Sequence, residues 1–191
     1  MTEQAATPDR LAEQVEQELG KSRAIPPVEK WNPDFSGEMD MRIARNGDWF
    51  YQGTKLSRQS LVKLFSSILK LDDDGAYYLV TPVEKFRITV DDAPFVAHSL
   101  EREGEGPGQT LWLTTNTGDR LRVDDEHPLW VDGAGKDEPS PYIRVRRNLD
   151  ALIERQTFYE LASLALEGEG EHAGQLGVFS AGNFYPIGNA G

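Results

Sequence analysis

Cysteine is absent from this chain of 191 residues. Its absence excludes disulfides, thiolate metal sites and cysteine nucleophiles. No apolar run approaches the roughly 18 residues that a membrane-spanning helix needs. The start, Met1-Thr-Glu-Gln-Ala-Ala6, has neither a basic cluster nor an apolar stretch, so no secretory signal is expected and a cytoplasmic location is. Histidine is scarce: His98, His127 and His172 are the only three, and none has a second histidine at ligand spacing. Neither a Gly-x-Ser-x-Gly elbow nor a glycine-rich phosphate loop occurs. The chain therefore reads as a non-enzyme, with no catalytic residue, no cofactor and no metal assigned.

Positive charge is also in short supply, with 20 Lys and Arg against 32 Asp and Glu and a net charge of -12. Duplex nucleic acid is a poor partner for such a chain, because its binding rests on many cation–phosphate contacts. The deficit is uneven. Residues 39–90 carry 8 basic and 6 acidic groups, or +2, whereas residues 91–139 carry 4 and 12, or -8. A small anion needs only two or three arginines, whatever the total charge.

What the chain does contain is a repeat. Arg42-Ile-Ala-Arg-Asn46, the triplet Trp49-Phe-Tyr51 and Ser57-Arg-Gln-Ser-Leu61 recur as Arg144-Val-Arg-Arg-Asn148, Ala151-Leu-Ile153 and Glu154-Arg-Gln-Thr-Phe158. Each copy reads as an Arg-bearing strand, a turn, a short apolar strand and a helix entry, with a hairpin to follow. Alternation over Met39–Ala44 marks a half-buried strand. Asn46-Gly47 suggests a two-residue hairpin turn. Ser57 is placed to cap a helix running to about Lys70, and the second helix is expected from about Gln156 to Leu166. Between the copies, residues 86–131 read as an antiparallel β-meander with two Asp-Asp corners, Ile88–Val96 and Leu121–Val131. Leu11, Val15 and Leu19 form a narrow stripe on an N-terminal helix closed by Gly20. The expected organisation is a helix and tail over 1–24, an α+β domain over 25–85 and a second over 86–191.

Several side chains suggest a ligand. Residues two apart on a strand share a face, so Arg144 and Arg146 project together, and Arg42 lies opposite Met41 and Ile43 in the same way. A fork of guanidinium groups binds phosphate or carboxylate in two-point fashion; pairing with the chain's own carboxylates is the alternative. Trp31, Trp49 and Tyr51 are candidates for stacking a flat ring, and core packing is the alternative for each. Asp91, Asp92, Asp124, Asp125 and His127 would make a metal-dependent hydrolase if they met at one point. A protein-interaction surface on the meander or the N-terminal helix is a further alternative.

Pro27–Pro33, Asp40–Ile43, Asp48–Tyr51, Leu79–Lys85, Val90–Phe95, Pro141–Arg146 and Gly182–Gly188 together resemble the proteobacterial domain-of-unknown-function family numbered 1285. The resemblance implies an α+β fold with an internal duplication, the C-terminal half similar in outline to pleckstrin-homology domains. It also implies a ligand site where the halves meet, for a nucleotide-like molecule, and a part in signal transduction.

Overall fold

The computed structural model describes residues 7–20, 24–133 and 137–191. Parts of the expected tail (1–6 and 21–23) and of the polar loop over 132–141 (134–136) lie outside the described residues. The chain forms two compact units, Met1–Asp92 and Ala93–Gly191.

The first unit opens with α1 (Pro8–Leu19), whose ends follow from capping chemistry. The Thr7 hydroxyl accepts from the Arg10 amide, and the Gly20 amide, at a φ of 55°, donates to Glu16. Leu11 and Val15 are buried within this unit, so α1 packs on the unit's own core through these two residues of its stripe, and Leu19 is half-buried. Arg10 to Glu84 (3.0 Å) and Gln14 to Thr81 (3.4 Å) fasten it. Then come β1 (Gly37–Ile43), β2 (Trp49–Tyr51), β3 (Thr54–Lys55), α2 (Gln59–Ser67), β4 (Leu69–Leu71), β5 (Tyr77–Val80) and β6 (Lys85–Val90). They form one sheet in the order β3-β2-β1-β6-β5-β4, parallel only where β1 meets β6.

The second unit contains β7 (Phe95–Glu103), β8 (Thr110–Thr115), β9 (Arg120–Arg122), β10 (Leu129–Asp132), β11 (Ser140–Arg146) and β12 (Leu149–Ile153). Their order is β10-β11-β12-β7-β8-β9, again with one parallel pair, β12 and β7, at the centre. After them come α3 (Arg155–Ser163), β13 (Leu166–Glu167), β14 (Gln175–Ser180) and β15 (Asn183–Asn189), the last three in a small sheet of their own.

The fold is a duplicated α+β fold, and the expected strand–strand–helix–hairpin order is present twice. The sheets add a second correspondence. Each six-stranded sheet is two three-stranded meanders joined by a parallel pair, which matches β1-β2-β3 with β7-β8-β9 and β4-β5-β6 with β10-β11-β12. Both sheets curl as half-barrels. In the first, α2 carries the chain from one edge strand, β3, to the other, β4. In the second, residues 123–128 link the edge strands β9 and β10, and the helix comes only after the sheet is complete.

Several sequence expectations are revised locally. The boundary expected at 85/86 falls at the start of β6, whose neighbours β1 and β5 belong to the first unit; the break comes after Asp92. The meander proper is accordingly β7-β8-β9. Asn46-Gly47 lies in a three-residue loop, with the Ala44 amide donating to Asp48 (2.8 Å) and Gly47 at a φ of 90°. The Asn46 side chain accepts from the Asp48 amide, which favours the wider loop. Ser57 is not the cap of α2, since Arg58 holds that position and no side chain caps it. α2 also ends at Ser67 rather than Lys70. The Ser66 and Ser67 hydroxyls donate back to the Lys63 and Leu64 carbonyls, competing for the acceptors of a further turn. Ser163 does the same to Glu160 at the end of α3.

Candidate functional site

The arginines singled out by the sequence are ion-paired within the fold. Met39, Met41 and Ile43 are buried, so Arg42 projects from the other face of β1. There its guanidinium grips Asp91 through two nitrogens, Nε lying 3.0 and 2.9 Å from the two carboxylate oxygens, and sits 5.6 Å from the Phe50 ring centre. This pairing lowers the Asp91 pKa and raises that of Arg42. Arg144 stands across from Asp150 in the β11–β12 register and bonds it, while its Nη1 donates to the Arg147 carbonyl (2.9 Å). Burial pushes the Asp150 carboxyl up and Arg144 opposes the shift. The Arg146 side chain is only 14% exposed, 3.5 Å from Asp119 and 5.1 Å from the Phe95 ring centre. Its burial lowers its pKa from the ordinary value.

The aromatics separate. Trp49 is 1% exposed and stacks on Phe65 of α2 with ring centres 6.3 Å apart, a place in the core that leaves no free face for a ligand. Trp31 is half-buried, and its carbonyl accepts from Lys70 (3.3 Å). Tyr51, also half-buried, lines a cavity of about 380 Å³ in the first unit. The cavity lies between the start of α1, which contributes Thr7 and Asp9, and the β3–α2 connection, which contributes Lys55, Ser57 and Arg58. Arg58 pairs with Asp9 (3.1 Å) and Lys55 with Asp48 (3.2 Å), all on well-exposed or half-exposed side chains. Lys55 and Arg58 were not singled out in the sequence. The available signal was two cations three residues apart at a helix entrance, inside the net-positive segment.

The acidic corners do not converge on a metal centre. Asp91 is taken by Arg42 and Asp92 by Arg45 (2.9 Å). Asp124 accepts from the Glu126 and His127 amides, Asp125 from Asn183, and His127 Nδ1 lies 3.0 Å from the Arg144 carbonyl oxygen. Among the described residues no group of three or more His, Asp or Glu is placed to hold a metal ion, so the hydrolase alternative has no site. A different cluster is closed on itself. Lys85 bonds Asp72 and lies 4.3 Å from the Tyr78 ring centre, and the Tyr78 hydroxyl donates to Asp74.

Comparison with known proteins places the chain. Residues 26–93 match the N-terminal domain, and residues 94–187 the C-terminal domain, of the family described as a protein of unknown function, DUF1285. The chain belongs to the DUF1285 family. A DUF1285 protein from Silicibacter pomeroyi DSS-3 shares 46% identity with it over 89% of this chain and 91% of that one, with a TM-score of 0.81. A second, from Shewanella baltica OS155, shares 33% identity over 65% of this chain and 91% of that one, with a TM-score of 0.51. No curated protein matches. The two DUF1285 domains divide at 93/94, one residue from the break between the compact units. α1 precedes the matched region, so Thr7 and Asp9 wall the cavity from outside the DUF1285 N-terminal domain. Among the described residues no helix is long and apolar enough to cross a membrane.

Proposed function

We propose that this DUF1285 protein is a non-enzymatic receptor for a small anionic ligand bearing a flat ring, a nucleotide-like molecule, held in the cavity of its first unit. The observation that carries this reading is the meeting of Tyr51 with Lys55 and Arg58 around a space of about 380 Å³. That volume lies in the range of roughly 300–1,000 Å³ occupied by small-molecule sites. The two cations suit a phosphate or carboxylate, and Arg58 can engage it through two nitrogens. α2 adds the positive end of its dipole, because no side chain caps its N-terminus. The tyrosine offers a surface for the ring, a contact worth roughly 1–3 kcal/mol. The present partners of the two cations are weak rivals, since exposed ion pairs contribute about 0–1 kcal/mol. Arg42, Arg144 and Arg146 are not needed, and their own carboxylates stay with them.

The test is thermal unfolding with nucleoside monophosphates and inorganic phosphate, backed by calorimetric titration. A ligand at 100 times its Kd adds about 2.7 kcal/mol, a rise in Tm of roughly 5–10 °C for a chain of this length. The Lys55→Gln/Arg58→Gln protein is expected to lose that shift and the Arg42→Gln protein to keep it. Absence of a shift with every compound, or a shift that survives the double substitution, overturns the reading.

A further inference from the structure

The cavity is walled on one side by a helix that also carries a carboxylate onto one of its cations. Asp9 lies in the first turn of α1 and reaches Arg58 at 3.1 Å. The helix around it is fastened: Pro8, Leu11, Ala12 and Val15 are buried, Arg10 bonds Glu84 and Gln14 bonds Thr81. The first turn is therefore held at the cavity by an anchored helix, and the Asp9–Arg58 pair is its exposed tip, with side-chain exposures of 81% and 67%. We infer that Asp9 is a built-in competitor: its carboxylate occupies the guanidinium that the ligand's anionic group takes, and binding displaces the Asp9 side chain from Arg58 while α1 stays in place. The inference rests on the reading of the cavity as an anion site and adds its regulation. Because α1 lies before the DUF1285 N-terminal domain, the restraint is an addition to that domain rather than part of it.

Two chemical features support competition over cooperation. A carboxylate and a phosphate seek the same face of a guanidinium and repel each other when both are close. The pair is also exposed, so it is weak enough to exchange.

The experiment is a calorimetric titration of the full chain and its Asp9→Asn variant with adenosine monophosphate. Expected is a Kd about two- to fivefold lower in Asp9→Asn, the range that release of an exposed ion pair allows. Binding by Asp9→Asn alone also supports the inference. Equal Kd values in both proteins overturn it while the cavity reading stands. Binding by neither protein overturns both.

Discussion

At the scale of single residues, Trp49 and Tyr51 show what alternation can and cannot reveal. Two apart on β2, they share a face, and the sequence made both of them stacking candidates. Whether a ring on that face is covered depends on what crosses it, here Phe65 from α2, and that is a matter of tertiary packing. Trp49→Ala is expected to cost about 3–5 kcal/mol in urea unfolding, as for other large buried aromatics. Trp49→Phe should cost far less, roughly 1–1.5 kcal/mol, because the indole N–H is buried with no hydrogen-bond partner and its removal forfeits none. Equal losses in the two variants would contradict this account. The arginines teach a similar lesson. Their face on each strand was legible, but their engagement was not, since Asp150 is opposite Arg144 only once the hairpin register is known. The cavity was legible only at Tyr51; Lys55 and Arg58 needed the fold to bring α1 beside them.

At the scale of elements, the closed cluster on β4–β6 sets a pH dependence. The Lys85 bond holds the Asp72 carboxyl below its usual range, and the Tyr78 hydroxyl does the same for Asp74. A depressed carboxylate contributes stability above its unfolded pKa and loses it as pH falls through the folded value, so this part disappears below about pH 4. Lys85 is raised by Asp72 and Tyr78 by Asp74. Their contribution is complete below the unfolded values and lost as pH climbs past about 10. Asp72→Asn should partly flatten both limbs of a stability–pH curve measured by denaturant unfolding; an unchanged curve would exclude the Asp72–Lys85 pair as a source of either. In the second unit, Ser180 ties the small sheet to the larger one. Fully buried, it donates to the Val123 carbonyl (2.6 Å) and accepts from the Leu111 amide (2.9 Å). Ser180→Ala leaves both backbone groups unmatched, at about 1–3 kcal/mol for each. A midpoint shift in urea with an unchanged slope is the expected signature. Element boundaries were the least legible features, because the serines that stop α2 and α3 act through local bonds that apolar periodicity does not register.

At the scale of the whole molecule, the duplication was visible as recurring Arg-Asn and Arg-Gln pairs, but the pairing of meanders was not. Meanders are related by sheet order, and sheet order leaves no periodic trace in a single chain. Each unit keeps its sheets to itself. Residues 93–191 expressed alone are therefore expected to unfold cooperatively with a β-rich circular dichroism spectrum; a non-cooperative, coil-like fragment would refute that expectation. The link over residues 123–128 has a consequence for solubility. A flat six-stranded sheet is about 24 Å wide, at roughly 4.8 Å per strand, and a chain segment of this length spans that only when fully extended. The segment is instead folded back on itself, with Asp124 and His127 hydrogen-bonded across it. The turn therefore brings the end of β9 close to the start of β10. Edge strands tied this closely at one end leave less room for another chain to add a strand, so the short acidic turn works against edge-to-edge aggregation of this unit.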